Sequence, residues 1–316
     1  MRHDDLVKLR TGLEISRFGL GTATLGGLFT SISDEDAFST VETALNCGVT
    51  YIDTAPHYGK GTSERRLAKA LAGKSNFHLS TKIGRLLVPA VNSLDPDFAD
   101  TDTNVVRTFD YSAAGVERSI KESLERLEMD YVDIVYIHDP DDEIYVEQSI
   151  KEAYPALEKM RNQGLIKAIG VGMNQSAVPT RFINETDIDM VLIAGRYTLL
   201  DQSAALDLLP AALSRGVDVI AAGVLNSGIL ANPVPGATYD YAPASPTILE
   251  KALKIKSILD KHGVSITSAA LQFPLRHPSV KAVLVGCRSA QEVIDNTQAF
   301  DEIIPETIWQ DLAQVN

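Results

Sequence analysis

Eight times along the chain a short apolar run rich in Val and Ile gives way to a longer stretch of helical periodicity, and this alternation restricts the fold more than any other feature. Near-continuous apolar runs suit strands buried on both faces, and helices between them are the crossovers that parallel strands require. The strand candidates are residues 15–23, 49–54, 77–82, 132–138, 166–171, 190–194, 217–222 and 280–285. Their helices fall at 34–46, 63–72, 112–127, 149–162, 179–184, 204–214, 246–261 and 290–299. Local signals agree with these spans. Ser33 precedes Asp34, Glu35 and Asp36, an N-cap with a negative first turn, and Val116, Ile120, Leu124 and Leu127 line one helical face.

Eight strand–helix repeats either close into a barrel or lie open in a doubly wound sheet. No G-x-G-x-x-G follows any strand here, which favours closure. The expected fold is α/β: a single (β/α)8 TIM barrel over residues 1–316, with an N-terminal β-hairpin at 6–18 and extra C-terminal helical segments at 266–276 and 305–315. These additions account for a length of 316 residues against about 250 for a typical barrel. Two long connections, 84–111 and 226–245, follow strands. Both therefore belong to the C-terminal face, where barrel active sites are built.

Composition removes several classes of function. With 29 Lys and Arg against 42 Asp and Glu the net charge is −13, which argues against a nucleic-acid surface, since phosphate contacts need basic side chains. The 45% hydrophobic content supports a large core rather than disorder. Cys47 and Cys287 are too few and too far apart for a disulfide framework or a clustered metal motif. The segment MRHDDLVKLR lacks the apolar core of a secretion signal, and no apolar run approaches the ~18 residues needed to cross a bilayer. The expectation is a cytoplasmic protein without a membrane or nucleic-acid partner.

Three successive strand candidates end in ionisable residues: Asp53 in YIDTAPHYG, Lys82 in LSTKIG and His138 in VYIHDP, with Tyr58 on the loop after the first. Such a group suits proton exchange with an oxygen during hydride transfer. A phenol titrates near ~10 and needs a nearby cation to reach working acidity; Lys82 would supply it, Asp53 would hold Lys82 charged, and His138 would orient the reacting oxygen. The acids Asp139, Asp141, Asp142 and Glu143 beside His138 also suit a hard cation, but Asp-Pro-Asp-Asp is good turn chemistry and is read so, with no metal site expected. Tyr239, Tyr241 and Trp309 lie in segments that could cover the barrel mouth, with a packing role as the alternative.

The segments FGLGTATLGG, GVTYIDTAPHYGKGTSERRLAKAL, STKIGR, YVDIVYIHDP, GLIKAIGVG and VGCRSAQEVIDN together resemble the aldo-keto reductases, in motif order from about Leu9 to the end of the eighth helix. The resemblance implies a tetrad of Asp53, Tyr58, Lys82 and His138 with Tyr58 as general acid/base, and an NAD or NADP molecule extended across the barrel mouth. It carries cofactor contacts to Gly21, Thr22, Asp53, Asn174, Gly223, Leu225, Asn226, Gly228, Gly286, Arg288, Ser289, Glu292 and Asn296. Substrate contacts fall to His57, Arg85 and Arg196.

At the adenosine end, Glu292 stands where NADP-preferring members often have a basic residue. A carboxylate repels a 2′-phosphate and can accept from ribose hydroxyls, which favours NAD; Arg288 beside it keeps NADP open. Three positions depart from the family pattern: Ala222 for a tyrosine that stacks on the nicotinamide, Ala194 for an amide-binding Gln with Arg196 two residues on, and Gly172, Met173 and Asn174 for a Ser-Asn pair. These departures resemble the branch of L-fucose and D-threo-aldose dehydrogenases, L-galactose dehydrogenase and pyridoxal 4-dehydrogenase. The expected reaction is oxidation of a cyclic hemiacetal sugar to a lactone. Pyridoxal oxidation and NADPH-dependent reduction of aldehydes or ketones are the alternatives within the family, and a metal-dependent hydrolase or a nucleotide-binding regulatory subunit those outside it.

Overall fold

The computed structural model describes residues 1–99 and 101–315. Strands β1 (Leu6–Lys8) and β2 (Glu14–Ser16) form the expected antiparallel hairpin, with Val7 opposite Ile15. Its apolar side chains Leu9, Leu13 and Ile15 pack against residues of the barrel interior.

Eight parallel strands then close on themselves: β3 (Phe18–Gly21), β4 (Tyr51–Asp53), β5 (His78–Ile83), β8 (Ile134–His138), β9 (Ala168–Met173), β10 (Met190–Ala194), β11 (Asp218–Ala222) and β14 (Val280–Gly286), the last pairing with β3 to seal the barrel. Outside the barrel, β6 (Arg85–Pro89) pairs with β7 (Val105–Phe109), and the two-residue strands β12 (Thr238–Tyr239) and β13 (Ala242–Pro243) pair with each other.

Around the barrel run α1 (Asp34–Asn46), α2 (Thr62–Leu71), α3 (Ala113–Leu127), α4 (Glu143–Gln148), α5 (Tyr154–Asn162), α6 (Ala177–Glu185), α7 (Leu208–Arg215), α8 (Pro246–Asp260), α9 (Ile266–Gln272), α10 (Ala290–Phe300) and α11 (Glu306–Leu312). α1 follows directly from its sequence. Ser33 accepts from the Asp36 amide, three acids occupy the positive end of the helix dipole, and Ala37, Val41 and Ala44 fall on the buried stripe. The main core lies between these helices and the outer faces of the strands. Among the described residues no helix is long and apolar enough to cross a membrane.

Four expectations need correction. The run 15–23 holds two strands rather than one, because Ser16 breaks the ladder by donating to the Phe18 carbonyl at 2.6 Å and accepting from the Thr50 amide at 2.9 Å. The helix expected at 149–162 begins at Glu143 and passes through a π turn at Ser149–Ala153 into α5, so the acidic stretch ends in a helical first turn. The connection 84–111 is not irregular, since it contains the β6–β7 hairpin.

The seventh and extra helices exchange roles. α9 lies beside α10 in the ring and buries Leu271 in the main core, whereas α8 buries Ala252, Ile255 and Leu259 in a separate cluster with Ile308, Trp309 and Leu312 of α11. Both helices carry apolar stripes, and a stripe does not state which surface it will cover.

Candidate active site

Because β4, β5 and β8 are adjacent and parallel, their C-terminal ends bring Asp53, Lys82 and His138 to one sector of the mouth. Lys82 Nζ lies 2.5 Å from Asp53 Oδ2 and donates to the Thr54 carbonyl at 2.9 Å; both side chains are 1% exposed. Ser80 Oγ donates to the other carboxylate oxygen at 2.6 Å. Tyr58 crosses above this pair, with Lys82 Nζ 4.8 Å from its ring centroid and the His138 ring edge-on at 6.0 Å. The structure thus brings together all four side chains expected to form the tetrad.

Its electrostatics differ from the expectation in one respect. Burial raises the Tyr58 phenol well above its ordinary range, and Asp53 adds to that rise. The charge that pulls against this rise is that of Arg85, and it does not offset the burial. Tyr58 therefore rests as a protonated phenol. Burial presses Asp53 up and Lys82 down, and each partner's charge resists that pressure. Burial also lowers His138 well below its usual range and takes His57 down to about 2, with the Arg85 charge adding to both, so both imidazoles are neutral at pH 7.

A wall of side chains surrounds Tyr58. Phe98 lies 6.2 Å from the Tyr58 ring in a stacked arrangement and edge-on to His57 at 5.3 Å. Arg107 packs on Phe98 and donates to the His57 carbonyl at 2.8 Å. Arg85 donates to Asp139 Oδ2 at 2.8 Å and reaches His57 at 3.4 Å. Burial raises Asp139 to about 6 against the pull of Arg85. His57 and Arg85, two of the expected substrate contacts, both lie in this wall.

Arg196 is engaged elsewhere: it donates to the Asn174 carbonyl at 2.6 Å and to Asp240 at 2.9 Å, and lies 3.4 Å from Asp201. It ties the β12–β13 hairpin to the cleft rim. Phe98 and Arg107 are not singled out by the sequence, whereas Asp139 reads there as part of a turn and Tyr241 as part of a segment near the mouth. Their shared signal is position, on loops that follow barrel strands.

A cleft of about 460 Å³ runs across the mouth. It is lined by nine of the residues expected to contact a dinucleotide: Asn174, Gly223, Leu225, Asn226, Gly228, Gly286, Arg288, Glu292 and Asn296. Phe29, Ala194, Asp240 and Tyr241 line it too, and Tyr241 lies near enough to act on the Tyr58 phenol. Thr22 and Ser289 have local duties instead: Thr22 donates to the Asp53 carbonyl at 2.8 Å, and Ser289 caps α10. Gly21 ends β3 beside Gly286.

These residues suit a dinucleotide. Asn226 is 4% exposed, and its Oδ1 is a buried acceptor without a partner among the described residues, as a site built for a donor on a bound molecule requires. At the far end Glu292 accepts from Arg288 through the backbone amide at 2.9 Å and the guanidinium at 3.0 Å.

A closed parallel barrel with Tyr, Lys, Asp and His converging beside a cleft of this kind is the architecture of an oxidoreductase that works with NAD(P). The Aldo/keto reductase family pattern matches residues 17–316, and the chain belongs to that family. It is 39% identical over 313 residues to D-threo-aldose 1-dehydrogenase of Pseudomonas sp, covering 96% of this chain and 94% of that one. It is 37% identical over 324 residues to pyridoxal 4-dehydrogenase of Microbacterium luteolum, with the same coverage of both chains. An aldo-keto reductase from Bacillus halodurans superposes with a TM-score of 0.79 at 24% identity, covering 99% of this chain and 96% of that one, and shares the fold.

Proposed function

We propose that residues 1–316 form one catalytic domain, an NAD-dependent dehydrogenase that oxidises the cyclic hemiacetal of an aldose to a lactone. The observation that carries this reading is the buried Asp53–Lys82 pair under Tyr58, in a chain 39% identical to a D-threo-aldose 1-dehydrogenase. When bound, the nicotinamide supplies the acceptor for the C1 hydride. Tyr58 exchanges the proton of the anomeric oxygen, giving it up in the reductive direction and receiving it, as phenolate, in the oxidative one. Lys82, held by Asp53, keeps a cation against the Tyr58 ring, and neutral His138 donates a hydrogen bond to the reacting oxygen. His57, Arg85 and Asp139 hold the remaining hydroxyls, the last two as a donor–acceptor pair of the kind sugars match.

Asn174, Gly223, Leu225, Asn226, Gly228, Gly286, Arg288, Glu292 and Asn296 would hold the dinucleotide. The Arg288–Glu292 pair supports NAD over NADP: the guanidinium is already neutralised, and the carboxylate repels a 2′-phosphate. A second reading, pyridoxal oxidation, draws on the aromatic wall of Phe98 and His57 and on the 37% identical relative.

A panel of L-fucose, L-galactose, other D-threo-aldoses and pyridoxal, each with NAD and with NADP, tests the proposal through reduced-cofactor absorbance. The expected result is NAD reduction with an aldose and release of a lactone. No reduction with any hemiacetal, together with NADPH oxidation by simple aldehydes, would overturn it. NAD reduction confined to pyridoxal would select the second reading.

A further inference from the structure

Side chains alternate along a strand, so residues two apart face the same side. Tyr51 precedes Asp53 by two, Ser80 precedes Lys82 by two, and Tyr136 precedes His138 by two. The three form the next inward layer of the barrel, directly beneath the proposed tetrad, and all are 0% exposed.

This layer is a chain of hydroxyls. Tyr136 Oη is 3.0 Å from Tyr51 Oη, Tyr51 Oη is 3.1 Å from Ser80 Oγ, and Ser80 Oγ is 2.6 Å from Asp53 Oδ1. The rings are deliberately seated among apolar neighbours: a Cβ on Gly19 would lie 2.7 Å from Tyr51 and one on Gly170 would lie 2.5 Å from Tyr136.

Counting protons fixes the direction of the chain. Ser80 has one proton, and it goes to the carboxylate at 2.6 Å rather than to the Ile52 carbonyl at 3.5 Å. Tyr51 must then donate to Ser80, and Tyr136 to Tyr51. Every dipole points at Asp53, and bonds aligned this way polarise one another in a low-dielectric interior. Two phenylalanines would pack the same space without the cost of burying hydroxyls.

We propose that Tyr136, Tyr51 and Ser80 are positioning residues, a one-way hydroxyl relay that holds Asp53 as the anion paired with Lys82. The proposal rests on the tetrad reading above. The groups facing the pair are Tyr58 from the loop after β4, Glu64 of α2, and His138 and Asp139 at the end of β8; Arg85 and His57 lie across the mouth, and Asp218 of β11 acts on Tyr136. None of these donates to Asp53 Oδ1 among the described residues, so the relay is that oxygen's support.

Removing a donor raises the proton affinity of Asp53. Two readings report it, neither needing substrate: an infrared titration of the Asp53 carboxyl, isolated by difference from Asp53→Asn, and the same titration with NAD bound. Ser80→Ala should move both midpoints up by about one pH unit. Tyr136→Phe, which keeps the ring that Lys82 Nζ faces at 5.9 Å from its centroid and removes only the hydroxyl, should move them up by a few tenths of a unit, and Ser80→Thr should restore the original values.

Unmoved midpoints in both Ser80→Ala and Tyr136→Phe, even with a lowered melting temperature, would reduce the chain to packing and overturn the proposal. If Tyr136→Phe does not fold, Ser80→Ala against Ser80→Thr decides. Full turnover in Tyr58→Phe would remove the tetrad reading instead, and the infrared midpoints would still report on the relay.

Discussion

Lys82 and Asp53 face each other at 2.5 Å with both side chains sealed from solvent, so neither charge has water to fall back on. Attraction inside a protein offsets the desolvation of two ions only when the geometry is good, and it fails when one partner is removed. Lys82→Met should leave a buried carboxylate unpaired and lower stability by about 3–5 kcal/mol, read from urea unfolding at pH 7. Lys82→Met combined with Asp53→Asn should recover most of that loss while turnover stays absent. A double variant as unstable as the single one would show that the pair does not act as a unit.

The pH dependence follows from Tyr58. Its phenol is held well above the ordinary tyrosine range by burial and by Asp53, so the phenolate is a small fraction at pH 7. Oxidation uses the phenolate and should quicken as pH rises from neutral into the alkaline range; reduction uses the phenol and should not. His57 and His138 are lowered below their usual range and add no step between pH 6 and 8. Asp139, near 6, is the group at the mouth placed to add a shallow one. Initial rates in both directions across pH 6–10 check this, and an oxidation rate that falls over that range would contradict it.

Cofactor choice turns on Glu292. Its carboxylate neutralises Arg288 at 3.0 Å. Glu292→Gln should remove the repulsion of a 2′-phosphate and free the guanidinium to bind it bidentately. The ratio of kcat/KM for NADP to that for NAD should rise on the order of tenfold. An unchanged ratio would place the discrimination elsewhere in the cleft.

Arg196 holds the β12–β13 hairpin to the cleft rim through Asp240, and Tyr241 on the same turn packs on Phe29 across the cleft at a ring distance of 5.8 Å. Arg196→Met should loosen this strap. The Kd for NAD is expected to rise several-fold with a smaller change in kcat, whereas the reverse pattern would mark Arg196 as a substrate contact.

The repeat was legible because strand burial and helix amphipathicity impose periods of their own, and strand ends are where a barrel exposes chemistry. Asp53, Lys82 and His138 could therefore be read before any coordinates. Which surface a helix covers is not periodic information, so α8 and α9 exchanged roles. The β6–β7 hairpin was hidden because its strands lie far apart in sequence and Val105–Phe109 carries charge among its apolar residues. Phe98 depends on a loop path that no local pattern encodes, whereas Asp139 follows β8 directly and reads as turn chemistry. The relay was readable in principle, since Tyr51, Ser80 and Tyr136 sit two residues before tetrad members, but only the register of three neighbouring strands brings their hydroxyls within reach.

The central claim is that Tyr58 moves the proton. Tyr58→Phe keeps the ring against Lys82 and Phe98 and removes only the hydroxyl. Single-turnover oxidation by this variant, alongside a fluorescence titration with NAD, tests the claim most directly. The account predicts a Kd for NAD within about twofold of the parent and a loss of at least about 10²–10⁴ in rate. A near-native rate in a variant that binds NAD normally would contradict it.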